Sequence, residues 1–315
     1  MIKVDLISGF LGAGKTTFLK KYARFLINQG LKIGILEYDH GAINIDMVLL
    51  GELRGPKCEL EMVSAACDSD CLERRFKTKL ISMAMSGYDR VIIEPSGVFD
   101  MDMFFDSLRE EPLEKWYEIG SVITVVSADL EDDLGLNADY YLASQVANAG
   151  CIVLSKTQLC SAEEIANTKN HLRKAATSIN CNKFTEKYLE KDWYDLTDSD
   201  YLMLAGCGYH INDCVKIIAG ADDVFSSVSF LDIPDGKDML IKKMQTIFAD
   251  KSFGNIYRIK GFVGDIDGNY EINMASGKLT VSPSKVGKGT VIIIGTNLNE
   301  EKIKELILKT YSVRI

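Results

Sequence analysis

Short apolar runs alternate with longer amphipathic stretches through the first half of the chain, and this alternation predicts βαβ units around a mostly parallel sheet. The strand-like runs are Ile2–Ile7, Lys32–Leu36, Glu59–Val63, Arg90–Ile93, Ser121–Val126 and Cys151–Leu154. Helix-like stretches lie between them at Thr16–Asn28, Cys71–Met85, Asp139–Ala149 and Ala162–Thr177. VDLI, VIIE, VITVV and CIVL are nearly unbroken apolar runs, as strands buried on both faces of a parallel sheet are.

The pattern loosens from about residue 180 to 222, where Asn, Asp, Tyr and Gly are frequent. After Phe225 it changes period: a strand-like SSVSFL, a helix over Lys237–Phe248, then strands at Asn255–Gly264, Tyr270–Met274, Lys278–Ser282 and Thr290–Gly295, most separated by turn residues. A last helix over Asn299–Leu308 has Asn297 or Asn299 as its cap and Glu300 and Glu301 in its first turn. The expected organisation is an α/β unit over residues 1–180, a peripheral helical segment and linker over 181–222, and a small α+β domain with an antiparallel sheet over 223–315.

Composition narrows the classes of function. A hydrophobic fraction of 47% in 315 residues buries a sizeable core. A net charge of −9 argues against wrapping nucleic acid, whose phosphates attract basic surfaces. No apolar run approaches the ~20 residues that span a bilayer, and the opening MIKVDLISGF reads as a first strand rather than a leader. Eight scattered cysteines do not make a disulfide framework; they read as thiols or metal ligands of a cytoplasmic protein.

Residues 9–17, GFLGAGKTT, fit G-x4-G-K-[ST] between an apolar strand and a helix-forming stretch. Backbone N–H groups of such a loop (Gly9, Gly12, Ala13, Gly14, Lys15, Thr16, Thr17) converge on phosphate oxygens, helped by the helix N-terminus. Lys15 is placed for the β- and γ-phosphates and the Thr16 hydroxyl for Mg²⁺. A second element, RVIIEPSG, ends a strand in Glu94 and reaches Gly97 three residues later. A carboxylate there orients Mg²⁺-bound or attacking water, and a glycine N–H can approach a γ-phosphate.

Together with the C-terminal IYRIKGFV and VIIIGTNLNEEKIKELI, these motifs resemble the CobW-type GTPases, relatives of the urease and hydrogenase nickel-accessory GTPases. The resemblance covers nearly the whole chain. It implies a P-loop G domain of the SIMIBI type, a smaller CobW C-terminal domain, slow GTP hydrolysis and handling of a metal ion, around cobalamin in some members and zinc in others. Three segments depart from the family pattern. The switch-like N-E-F-G-E-x-G-I-D reads Tyr38-Asp39-His40-Gly41-Ala42-Ile43-Asn44-Ile45-Asp46, with Asp39 where the family has Glu. A carboxylate one methylene shorter still holds a Mg²⁺ water. The guanine motif N-K-x-D reads Ser155-Lys156-Thr157-Gln158. Gln158 offers one neutral acceptor where a carboxylate makes hydrogen bonds roughly twice as strong, so ATP competes better with GTP. The metal motif C-x-C-C reads Cys67-Asp68-Ser69-Asp70-Cys71.

Two readings of that last segment stay open. Cys67 and Cys71, completed by Asp70 and its neighbours, form a Zn²⁺ or Co²⁺ site; or the thiols are structural and the acids cap the next helix. Cys207, His210 and Cys214 make a second candidate cluster, and His40 beside Asp39 is either a ligand or a solvated loop residue. Cys58, Cys151, Cys160 and Cys181 read as structural thiols. Three functions fit: a nucleotide-hydrolysing metallochaperone or cofactor-maturation protein with a client metalloprotein or corrinoid protein; a P-loop ATPase or kinase acting on a small molecule or a corrinoid protein; and a nucleotide-dependent interaction module without metal cargo.

Overall fold

Among the described residues seven strands, most of them apolar runs, assemble into one parallel sheet, ordered β3-β2-β4-β1-β5-β6-β7. In the computed structural model they are β1 (Ile2–Ser8), β2 (Ile33–Asp39), β3 (Cys58–Ser64), β4 (Arg90–Pro95), β5 (Tyr117–Ser127), β6 (Cys151–Ser155) and β7 (Tyr188–Leu189). The structure describes residues 1–308 apart from 40–45, 65–68, 100, 131–133, 182–183, 213–224, 276, 285–286 and 288. The helices of this unit are α1 (Lys15–Asn28), α2 (Asp46–Leu50), α3 (Ser69–Ala84), α4 (Met101–Arg109), α5 (Leu113–Trp116), α6 (Leu136–Asn148), α7 (Ala162–Ser178) and α8 (Asp198–Ala205).

Successive strand residues face opposite ways, so Ile7, Ile35 and Ile92 join one core and Leu6, Leu36 and Ile93 another. On the first face α1 contributes Phe18, Leu19, Tyr22 and Leu26, and α8 adds Tyr201 and Leu204. On the second, α3 brings Phe76 and Leu80, and α4 brings Phe104 and Leu108. Each fully buried side chain of this size stabilises the fold by about 1.5–3 kcal/mol.

Residues 184–212 carry two short elements, β7 and α8. They belong to the first compact unit, where β7 joins the sheet and Tyr201 of α8 stacks on Phe25 with ring centroids 5.1 Å apart. The irregular sequence hid this because a two-residue strand and an eight-residue helix are too short to show periodicity. A buried ion pair ties the same segment down: Arg90 Nη1 donates to Asp5 Oδ2 at 2.6 Å, and the guanidinium also donates to the carbonyl of Ala205. Tyr22 and the Ser121 amide complete the coordination of Asp5. Burial pushes the Asp5 carboxyl up while Arg90 opposes the shift.

The second unit is antiparallel, ordered β11-β10-β9-β12-β8: β8 (Phe225–Phe230), β9 (Asn255–Asp265), β10 (Gly268–Ala275), β11 (Lys278–Pro283) and β12 (Thr290–Thr296). Helices α9 (Lys237–Ala249) and α10 (Glu300–Leu308) pack Leu240, Met244, Ile303 and Ile307 onto Ile259, Ile272 and Ile293. Of the two candidate caps, Asn299 acts: its Oδ1 accepts from the Lys302 amide at 3.1 Å. Among the described residues no helix is long and apolar enough to cross a membrane.

Candidate functional site

The carboxyl ends of the parallel strands gather the chemistry-bearing residues on one edge, where open α/β sheets bind ligands. β1 runs straight into residues 9–14, and α1 starts at Lys15. A Cβ on Gly9 would lie 2.2 Å from the carbonyl oxygen of Val125, so the loop leaves β1 against β5 through a gap only glycine fits. Lys15 is 92% buried, and its Nζ donates to the Gly9 carbonyl at 2.9 Å, folding the ammonium over the loop. The backbone amides at Gly12, Ala13, Gly14, Thr16 and Thr17 follow in the loop and the first turn of α1, a turn whose N-terminus carries partial positive charge.

Thr16 donates from Oγ1 to Oε1 of Glu94 at 2.7 Å, joining the loop helix to the tip of β4. Glu94 pairs in register with Glu37 of β2, and both carboxyls are buried. Sequence reasoning missed Glu37; its signal was an acid closing the apolar run IGIL. A hydroxyl beside two carboxylates is a hard-oxygen donor set of the kind that suits Mg²⁺. The turn after β4 is held to β2 by the Ser96 amide, which donates to the Tyr38 carbonyl at 2.8 Å. Gly97 lies so close to the phosphate loop that a Cβ there would sit 2.6 Å from the Leu11 nitrogen.

Beside the Ser155-Lys156-Thr157-Gln158 segment stands Trp193, which no sequence motif marks. Ser155 ends β6 buried, and its Oγ has no hydrogen-bond partner among the described residues. Lys156 takes a left-handed backbone, φ 59°, and its Nζ lies 3.3 Å from Asp129 Oδ1. Gln158 is exposed in the short turn that follows. Trp193, from the loop after β7, donates Nε1–H to the Leu154 carbonyl at 3.0 Å and presents its ring 3.2 Å from where a Gly14 Cβ would stand. Phe18 meets it edge-on at 5.5 Å. The phosphate loop, the end of β6 and the loop after β7 therefore meet at one indole.

The metal candidates divide. Asp39 closes β2 through its backbone, but its side chain lies outside the described residues, as do Cys67, the side chain of Asp70, His40 and Cys214. Cys71 is partly buried in the first turn of α3, which follows the edge strand paired with β2. The Cys207–His210 spacing does not become a cluster: Cys207 turns inward toward the carbonyls of Val122 and Gly208, while His210 is exposed. The chain takes a left-handed turn at Gly208, φ 72°, between them. Among the described residues no three His, Cys, Asp or Glu side chains are grouped to hold a metal. Burial pushes the Cys58 and Cys207 thiols up to about 11 and the Cys151 thiol to about 12. Such thiols stay protonated near neutrality and suit packing rather than ligation.

A family model described as CobW/HypB/UreG, nucleotide-binding domain, matches residues 3–183. The chain is 27% identical over 318 residues to the zinc chaperone YjiA of Escherichia coli (strain K12), a match covering 96% of each chain. It is 24% identical over 187 residues to zinc-regulated GTPase metalloprotein activator 1 of Schizosaccharomyces pombe, covering 57% of this chain and 44% of that protein. Among solved structures it aligns with Zn(II)-bound YjiA GTPase from E. coli at 21% identity over 98% of this chain and 99% of that one, with a TM-score of 0.37. HypB from Helicobacter pylori in complex with nickel aligns at 18% identity over 56% and 74%, with a TM-score of 0.36.

Proposed function

The chain belongs to the CobW/HypB/UreG nucleotide-binding domain family, and on that premise we propose that it hydrolyses a purine nucleoside triphosphate, GTP before ATP, to gate a transition-metal cargo or its client. One observation carries the reading: Lys15, Thr16 and Glu94 converge at the carboxyl edge of the sheet, with the hydroxyl of Thr16 bonded to Glu94. Lys15 releases Gly9 to take the β- and γ-phosphates, and the loop amides hold the remaining oxygens. Thr16 would hold Mg²⁺ directly, with Glu94 and Glu37 acting on it only through water; the ion would supply a hard cation that offsets charge on the phosphates. Glu94 orients the attacking water, and Gly97 turns its N–H toward the γ-phosphate. Ser155 and Lys156 flank the base.

Cargo handling draws on the relatives, named as zinc chaperone and metalloprotein activator. We assign the ion, Zn²⁺ or Co²⁺, to Cys67, Cys71 and Asp70 as ligands, with Asp39 of the switch-like segment coupling it to the nucleotide. The client is a metalloprotein, a corrinoid protein among the alternatives, in the cytoplasm where thiols stay reduced. The exposed Gln158, standing where a guanine-reading carboxylate is expected, supports a second reading in which ATP is also turned over.

The test separates binding from chemistry. Thr16→Ala should lose Mg²⁺-dependent nucleotide affinity, whereas Glu94→Gln should bind GTP normally and hydrolyse it at least ~10²-fold more slowly, as for other positioned water-activating groups. Normal hydrolysis by Glu94→Gln overturns its assigned role.

A further inference from the structure

Gln145 of α6 is wholly buried, yet nothing in the nucleotide reading uses it. Its Nε2 donates to the Gly97 carbonyl at 2.9 Å. That acceptor fixes which end of the amide faces the turn, because a carbonyl oxygen cannot donate. The other end, Oε1, is buried with no hydrogen-bond partner among the described residues. A buried amide oxygen without a protein partner calls for an explanation, a bound water or a functional role. The backbone of Gln145 is held as well: Thr124 Oγ1 donates to its carbonyl at 2.9 Å and shares a hydrogen bond with Ser8 at the end of β1. A chain of contacts thus runs from the phosphate-loop strand through β5 to α6 and back to Gly97.

We propose that Gln145 is a positioning residue that holds the Gly97 turn in register with the γ-phosphate and so sets the preference for triphosphate over diphosphate. The inference rests on the reading that Gly97 faces the γ-phosphate. The peptide after Gly97 is anchored by Gln145, which leaves the peptide before it to present its N–H toward the phosphate loop, against which Gly97 already packs. A diphosphate does not reach Gly97 and does not sense the anchor. The far end of α6 gives the anchor a further reach: the carbonyls of Asn148 and Ala147 accept from the His210 amide and from Asn212 Nδ2, at the end of the first unit. A shift of the turn is therefore passed to that segment through one helix.

The experiment uses the full chain, GDP and the non-hydrolysable GTP analogue GppNHp. Gln145→Leu keeps the volume and removes the donor. It should leave GDP affinity within twofold, weaken GppNHp at least tenfold, and lower the single-turnover rate by a similar factor. An unchanged GppNHp-to-GDP ratio in the folded variant overturns the proposal, and so does an equal loss for both nucleotides, which is the signature of a merely structural role. Should the variant fail to fold, ¹⁵N spectra of the wild type decide: the Gln145 side-chain amide should shift with GppNHp and not with GDP, and identical resonances in both states refute the idea. A wild type that binds neither nucleotide overturns the phosphate-loop reading itself, and this inference with it.

Discussion

Replacing Gly97 by alanine adds one methyl group at the closest approach between the turn after β4 and the phosphate loop. Gly97 does not have a positive φ, so alanine fits its backbone and the perturbation is purely one of contact. The new Cβ would lie 2.6 Å from the Leu11 nitrogen and 2.8 Å from Leu11 Cδ2. Since ordinary contact begins near 3.4 Å, one side must retreat by roughly 0.8 Å, and the nearest obstacle is backbone, which cannot swing aside as a side chain does. A displacement of about 1 Å in a reacting geometry costs ~10²-fold in rate, or about 2.7 kcal/mol in the barrier. Gly97→Ala should therefore lower the single-turnover GTP hydrolysis rate by ~10²-fold. GDP affinity should stay within a few-fold, because the diphosphate ends before the turn. Stopped-flow measurement with fluorescent GDP and quenched-flow hydrolysis, alongside a thermal melt, separate the two effects. Hydrolysis within threefold of wild type in the folded variant would show that the turn takes no part in the reaction.

Lys15→Ala removes the ammonium folded onto Gly9 and should abolish measurable GTP turnover with the melting curve preserved; turnover within a few-fold of wild type refutes the phosphate-loop assignment. Gln158→Asp restores a charged acceptor at the base position and should raise the GTP-to-ATP affinity ratio at least tenfold, a gain of about 1.4 kcal/mol; no change would mean that other groups read the base. Burial holds the Cys207 thiol at about 11 and the Cys151 thiol at about 12, above the ordinary 9.0. Iodoacetamide at pH 8 should therefore leave both unmodified in the folded chain and label them in urea. Because their folded values are raised, the stability they contribute is full below about pH 9 and is lost as pH climbs through 11 to 12, which a pH series of melts checks.

The strands and long helices were legible because buried parallel strands leave unbroken apolar runs and Gly, Pro and Asn punctuate them. The phosphate loop was legible because its glycines, Lys15 and Thr16 fall within nine consecutive residues, so their spacing shows without the fold. Glu37 was not, because an acid at a strand end looks solvated until β2 is known to pair with β4 and bury it beside Glu94. Trp193 and Gln145 were hidden for the same reason: each acts on a residue far away in sequence, Gly14 and Gly97 respectively. The Cys207–His210 spacing misled because a linear interval says nothing of the turn at Gly208. Asp129, beside Lys156, was hidden likewise, because its partner lies 27 residues away in sequence.

Calorimetric titration of Zn²⁺ into the reduced protein, in the presence of GDP and then of GppNHp with Mg²⁺, tests the coupling of nucleotide to cargo most directly. One equivalent of Zn²⁺ should bind, its affinity should differ at least tenfold between the two nucleotide states, and Cys71→Ser should weaken it without affecting nucleotide binding. A wild type that binds GppNHp but takes up no Zn²⁺ or Co²⁺ at micromolar concentration in either state contradicts the metallochaperone reading and leaves a nucleotide hydrolase without metal cargo.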